Sequence, residues 1–170
     1  MASGGVAKIN AAAALLEKGA LSAAMALVSN CPAMAGWRDA GGRSLLMRAI
    51  ECKQEQCAME LIPLSWVEMA GPEGRTALIM AASLGLSAVV AALLPDGDPS
   101  AVDEAGMTAL MHAAKHGQAE SAKILLALGN PLALSASGLS ALVYAIEGGH
   151  AECLRILLPV STRRRRQRME

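Results

Sequence analysis

The chain of 170 residues contains no phenylalanine, one tyrosine (Tyr144) and two tryptophans (Trp37, Trp66), although 54% of it is apolar. Sheets favour aromatic and β-branched residues, so a core of Ala, Leu and Met points to closely packed helices instead. Net charge is also missing: 15 basic residues face 15 acidic ones. The balance is uneven along the chain. Arg163, Arg164, Arg165, Arg166 and Arg168 against Glu170 leave +4 on the last ten residues and −4 on the rest. The four cysteines (Cys31, Cys52, Cys57, Cys153) form no Cys-x-x-Cys pair and no disulfide framework, and no secretory leader is apparent. Reduced thiols in a cytoplasmic or nuclear protein are the expectation. Gly-rich phosphate loops, a nucleophile elbow and paired catalytic acids are all absent, so no enzymatic activity, cofactor or metal is expected.

A strict internal period is present. Gly42, Gly74, Gly106 and Gly138 are 32 residues apart. Two residues after each comes a hydroxyl (Ser44, Thr76, Thr108, Ser140), then Leu (Leu46, Leu78, Leu110, Leu142), then Ala (Ala49, Ala81, Ala113, Ala145). An aliphatic pair closes each unit: Leu61-Ile62, Leu93-Leu94, Leu125-Leu126 and Leu157-Leu158. The pattern reads as turn, helix, turn, helix. Glycine allows positive φ in the first turn, and the hydroxyl caps the helix that follows. Gly85, Gly117 and Gly149 predict left-handed ends for the first helices, and Pro63, Pro95 and Pro159 predict the ends of the second. A unit this small cannot bury its own apolar face and must stack on its neighbours. Residues 7–30 read as a degenerate first unit.

Residues 74–82 (Gly-Arg-Thr-Ala-Leu-Ile-Met-Ala-Ala) and 106–117 (Gly-Met-Thr-Ala-Leu-Met-His-Ala-Ala-Lys-His-Gly) resemble the ankyrin signature, Gly-x-Thr-Pro-Leu-His-x-Ala-Ala-x-x-Gly-His. Asp39 and Asp103 match the Asp that opens each ankyrin turn, His150 matches the Gly-His step, and Glu120 and Glu152 match the acidic residue of helix two. The family's Pro is replaced by Leu45, Ala77, Ala109 or Ala141, and its His by Met47, Ile79, Met111 or Val143. Thr-Ala-Leu-Met repeats also resemble those of ankyrin-only proteins of single-celled eukaryotes, some fused to kinase domains. The resemblance implies an all-α ankyrin-repeat solenoid over residues 7–160, in units of about 7–36, 37–68, 69–100, 101–132 and 133–160. Tails at 1–6 and 161–170 flank it.

The period also bears on the uncharged run 77–94, which is long enough to suggest a membrane span. Its equivalent 109–126 carries Lys115, His116, Gln118, Glu120 and Lys123, so both stretches read as a helix–turn–helix and no span is expected. His112, His116 and Glu120 have the spacing of metal ligands, but Gly117 interrupts the helix between them, so no metal site is expected. Asp96 and Asp98 in Pro-Asp-Gly-Asp-Pro read as a turn between units. Cys57 and Cys153 share one repeat position and read as packing residues.

In ankyrin proteins the concave side binds partners, so the resemblance implies a protein-binding surface of turn tips and first helices. By register this surface takes Ala40, Arg43, Arg48, Glu51 and Cys52 from the second unit. The third contributes Pro72, Glu73, Arg75, Met80, Ser83 and Leu84, and the fourth Glu104, Met107, His112, Lys115 and His116. Ala136, Ser137, Leu139, Tyr144 and Glu147 complete it. The column Arg48, Met80, His112, Tyr144 is large and varied, as at interfaces, and is expected to line a protein-binding groove; the alternative is ordinary half-exposed helix residues. Arg43, Arg48 and Arg75 suggest a basic patch for an acidic partner segment. The expected function is a monomeric scaffold or adaptor for a protein partner. Two other readings are a regulatory portion of a larger enzyme such as a kinase, and a nuclear factor using the arginine run. Without stacking aromatics near that run, nucleic acid is not the expected partner; the run reads first as a solvated tail.

Overall fold

A computed structural model describes residues 10–15 and 36–166, with side chains as far as Pro159. Residues 10–15 are helical. The rest of the expected first unit, with Cys31, lies outside the described residues. Four helix pairs follow: α1 (Leu45–Glu51) and α2 (Glu55–Leu61), α3 (Ala77–Leu84) and α4 (Ser87–Leu93), α5 (Ala109–Lys115) and α6 (Ala119–Leu126), α7 (Ala141–Glu147) and α8 (Ala151–Arg166). Short 3-10 turns lie at Ile62–Leu64 and Pro72–Gly74. Among the described residues there is no strand; an isolated antiparallel bridge joins Val102 and Thr108. The first helices stack α1–α3–α5–α7 and the second α2–α4–α6–α8, each pair also packing internally. This is the expected all-α solenoid.

The hydroxyl caps form in three units of four. Ser44 Oγ accepts from Met47 N at 3.2 Å, Thr76 Oγ1 from Ile79 N at 3.4 Å and Thr108 Oγ1 from Met111 N at 3.4 Å. Each such cap contributes about 1 kcal/mol. Ser140 keeps the extended backbone but makes no capping bond. It is half-exposed where the other three are buried, so solvent competes for its hydroxyl.

Gly85, Gly117 and Gly149 all hold positive φ of 69–76° after the first helices, as expected. A second constraint acts at the first two, because a Cβ on Gly85 would strike the Gln118 side chain and one on Gly117 the His150 ring. Gln118 and His150 stand one period apart, so the fourth and fifth units each lay a side chain over the previous unit's turn. His150 Nε2 also meets Lys115 O at 3.0 Å. In the second unit Lys53 occupies the equivalent place with φ 54°. A side chain there crowds its own backbone at a cost of about 1–2 kcal/mol.

The apolar run 77–94 contributes much of the core of its unit, although Ala88 and Ala91 are exposed. Ala77 to Ala82 of α3 are buried without a break, between α1 and α5 and against α4. Among the described residues no helix is long and apolar enough to cross a membrane. One expectation fails at Pro159, which lies inside α8 and does not end it; the helix continues to Arg166. Proline keeps a helical φ and removes one donor, and arginine is a good helix former, so the helix persists at a local cost. The stretch 161–166 is therefore helical, not an irregular tail.

Candidate functional site

Each of the four described helix pairs is preceded by a tight finger. In the second unit, Asp39 N donates to Arg43 O (2.9 Å) and Gly42 N returns to Asp39 O (3.0 Å). The same two bonds recur at Gly71/Arg75/Gly74, Asp103/Met107/Gly106 and Ser135/Leu139/Gly138. The Gly of each finger holds the positive φ that the turn demands. Asp39 and Asp103 strengthen their fingers from within. Asp39 Oδ1 accepts from Gly41 N and Arg43 N at 2.8 and 2.9 Å, and Asp103 Oδ1 from Ala105 N and Met107 N at 3.0 and 2.9 Å. Backbone bonds then join adjacent fingers: Glu104 N to Glu73 O and Ala136 N to Ala105 O, both 3.0 Å.

The column Arg48, Met80, His112, Tyr144 does not face outward as expected. Met80, His112 and Tyr144 are buried, with at most 8% exposure, and Arg48 is half-buried. The polar members turn back onto the finger of their own unit, nine residues upstream. Arg48 Nε lies 3.6 Å from Asp39 Oδ2, His112 Nε2 lies 2.7 Å from Asp103 Oδ2, and Tyr144 Oη donates to Ser135 Oγ at 3.0 Å. Where the finger opens with Gly71, Met80 stands in the column. The variety of the column thus follows the opening residue of each finger. Asp39, Gly71, Asp103 and Ser135 fall at the same 32-residue spacing as their partners, so the pairing leaves a signal in the sequence.

The Asp103–His112 pair is the most buried polar contact of this set, each side chain 4% exposed. Burial pushes the carboxyl up, but the N–H groups of Met107 and Ala105 and the bond to His112 outweigh it and hold Asp103 below its usual 3.8. An ionised carboxylate only accepts, so His112 Nε2 carries the proton. Burial lowers His112 below its ordinary 6.5; Asp103 opposes this, while Arg75 and His116 add to it. The His116 ring stacks on His112 at 6.2 Å between centroids. Gly117 separates α5 from α6, so Glu120 sits on a different helix from the two histidines.

The expected basic patch is neutralised. Arg43 Nε lies 2.9 Å from Glu51 Oε1 and Arg48 Nη1 3.6 Å from Glu51 Oε2, while Arg75 Nη2 lies 2.7 Å from Glu73 Oε2. Arg43 also approaches Asp39, at 3.8 Å, and Arg75 approaches Asp103, at 3.9 Å. Arg43, Glu51, Glu73 and Arg75, with Pro72 and Met80, line a cleft of about 160 Å³ between the second and third fingers. Because carboxylates hold all three guanidiniums, the cleft is mixed in charge rather than basic. The remaining expected residues divide by exposure. Glu73, Glu104, Lys115, His116 and Glu147 are exposed, Leu84 and Leu139 are half-exposed, and Met107 is buried. Lys115 Nζ sits 5.8 Å above the Tyr144 ring, bridging the last two units.

Among the described residues no disulfide forms, and burial beside Glu60 raises Cys57 to about 11, which leaves it a packing group. Asp98 Oδ1 accepts from Ser100 N at 2.7 Å and Asn130 Oδ1, one period on, from Leu132 N at 3.1 Å, so Asp98 is a turn residue as expected.

The family described as Ankyrin repeats (3 copies) matches residues 9–103 and again 86–164. No curated protein matches the chain. With four finger-and-helix-pair units in one register and a family match over most of its length, the chain belongs to the ankyrin-repeat family.

Proposed function

We propose that this chain is a protein-interaction scaffold or adaptor, not an enzyme, which works in the cytoplasm or nucleus and binds its partner across the finger tips and first helices. Ankyrin repeats are generally protein–protein interaction modules. The observation that carries the reading is a row one turn along from the buried column. Glu51, Ser83, Lys115 and Glu147 stand one period apart, reach solvent and differ in charge from unit to unit, while the Ala49, Ala81, Ala113, Ala145 row beneath them is constant. Leu84 and His116 lie beside this row and Glu73 and Glu104 at the tips above it. A face of mixed sign recognises a partner by pattern and not by bulk charge. The partner is then a protein surface with alternating charges; the acidic segment expected from the arginines loses its support, since those arginines are already paired.

The test is capture from native lysate by the wild-type chain and by a Glu73→Lys, Lys115→Glu, Glu147→Lys variant, both shown to be folded by circular dichroism. A partner retained by the wild type should bind the variant at least about tenfold more weakly. Equal retention would move the binding surface off this face.

A further inference from the structure

The second and third units meet differently from the later pairs. The third finger opens with Gly71 where the others open with Asp or Ser, and Met80 takes the column position that elsewhere is polar. The cleft forms at this place, with Met80 and Pro72 as its apolar lining and Arg43, Glu51, Glu73 and Arg75 as its charged one. Its volume of about 160 Å³ suits one side chain. A cavity of about 150 Å³ holds a benzene-sized group, and sites for drug-sized ligands begin at about 300 Å³.

Charge selects the side chain. Ion pairs of 3.9 Å or less join three guanidiniums, Arg43, Arg48 and Arg75, to four carboxylates, Asp39, Glu51, Glu73 and Asp103. His112 beside Asp103 is uncharged near neutrality, so the described cluster carries one negative charge in excess. An anion would have to part a carboxylate from its arginine, whereas a cation adds to the excess. The two glutamates of the cleft also have acceptor capacity to spare. Glu51 meets Arg48 only at 3.6 Å, and the Glu73 side chain is 66% exposed despite its short contact with Arg75. Glu73 holds a left-handed φ of 57°, although Gly41, Ala105 and Ser137 at the same place in the other fingers do not. Glycine would suit that turn better, so the turn does not account for the carboxylate at the rim.

We propose that this cleft, within the partner-binding face, receives an arginine side chain of the partner protein. The inference rests on the reading of that face as a protein-binding surface. The aliphatic stem of the arginine lies on Met80 and Pro72, and its guanidinium sits between Glu51 and Glu73. A guanidinium donates from several edges of one plane and can serve carboxylates on both walls. An ammonium is a compact charge that is more strongly hydrated.

N-acetyl-argininamide is the probe, titrated into the full chain while NMR follows the methionine methyls, with Met80→Leu assigning the Met80 signal. That methyl should shift saturably, with a dissociation constant on the order of 1 mM. N-acetyl-lysinamide should bind several-fold more weakly, and the amide of N-acetyl-glutamate should not bind. Glu51→Gln with Glu73→Gln should weaken the arginine probe at least about fivefold while circular dichroism shows a retained fold. Glu73→Gly should weaken it as well, with a melting temperature no lower than that of the wild type, which separates loss of binding from loss of structure. The absence of a saturable shift would overturn the proposal. So would equal binding of the lysine or glutamate probe, or a double variant that binds arginine as well as the wild type does. An arginine probe that fails while the charge-reversed face still loses its captured partner would remove the cleft and leave the face.

Discussion

Asp103 with His112, and Ser135 with Tyr144, occupy the same two places in adjacent repeats and close the same finger with different chemistry. The first pair is an ionised carboxylate and an imidazole, sealed from solvent and flanked by Arg75 and His116. The second pair is two neutral hydroxyls, with Ser137 Oγ a further neighbour of Tyr144 Oη at 3.2 Å. The repeat dictates where the two residues meet and leaves their identity open, provided that both change together. Diversity at a buried repeat position is thus no evidence of a partner.

The largest effect should come from breaking the charged version. Asp103→Ala strips acceptors from two finger N–H groups and from His112, and should cost about 3 kcal/mol in chemical denaturation. Tyr144→Phe removes one neutral bond and should cost about 1 kcal/mol. If the two pairs are interchangeable, Asp103→Ser with His112→Tyr should recover most of the loss; no recovery would mean that the surroundings of the fourth finger, not the pair, set its chemistry.

Acidity sharpens the same contrast. Because the folded chain holds the His112 pKa below 6.5, it binds fewer protons than the unfolded chain just below that value. The stability tied to a neutral His112 is complete above 6.5 and is lost as pH falls toward the lowered value. His116, lowered first by burial and then by Lys115, acts in the same direction. Melting temperatures at about pH 7.5 and 5.5 should fall more steeply for the wild type than for the Ser/Tyr double variant. The smallest expected effect lies at the other kind of turn. Lys53→Gly relieves the left-handed lysine and should stabilise the chain by about 1 kcal/mol, where the other three units already have glycine.

Much of the architecture could be read in advance because its causes are local. Hydroxyl caps, left-handed glycines and Leu–Ala faces recur at one spacing, and each dictates its own few residues of backbone. What could not be read depends on neighbours or on weak prohibitions. Lys53 takes a conformation that lysine disfavours because the helices on either side of it leave no other path. Pro159 discourages a helix without forbidding it. His112 and Tyr144 are buried against fingers nine residues upstream. Arg43, Arg48 and Arg75 pair with carboxylates of the fingers and of α1, and net charge along the chain gives no hint of it.

Pro72 occupies the place from which Glu104 and Ala136 reach back to the preceding finger, and proline has no N–H to send. The second and third fingers are bridged instead by one exposed side chain, Arg38, whose Nη1 meets Ala70 O at 2.7 Å and Gly42 O at 3.2 Å. In a linear array each unit passes strain only to the next, so how far a disturbance travels depends on the weakest junction it meets. Here the finger part of that junction depends on a guanidinium that solvent can displace. Fraying that starts in the second unit should therefore stop there, and the third to fifth units should melt as one block behind it.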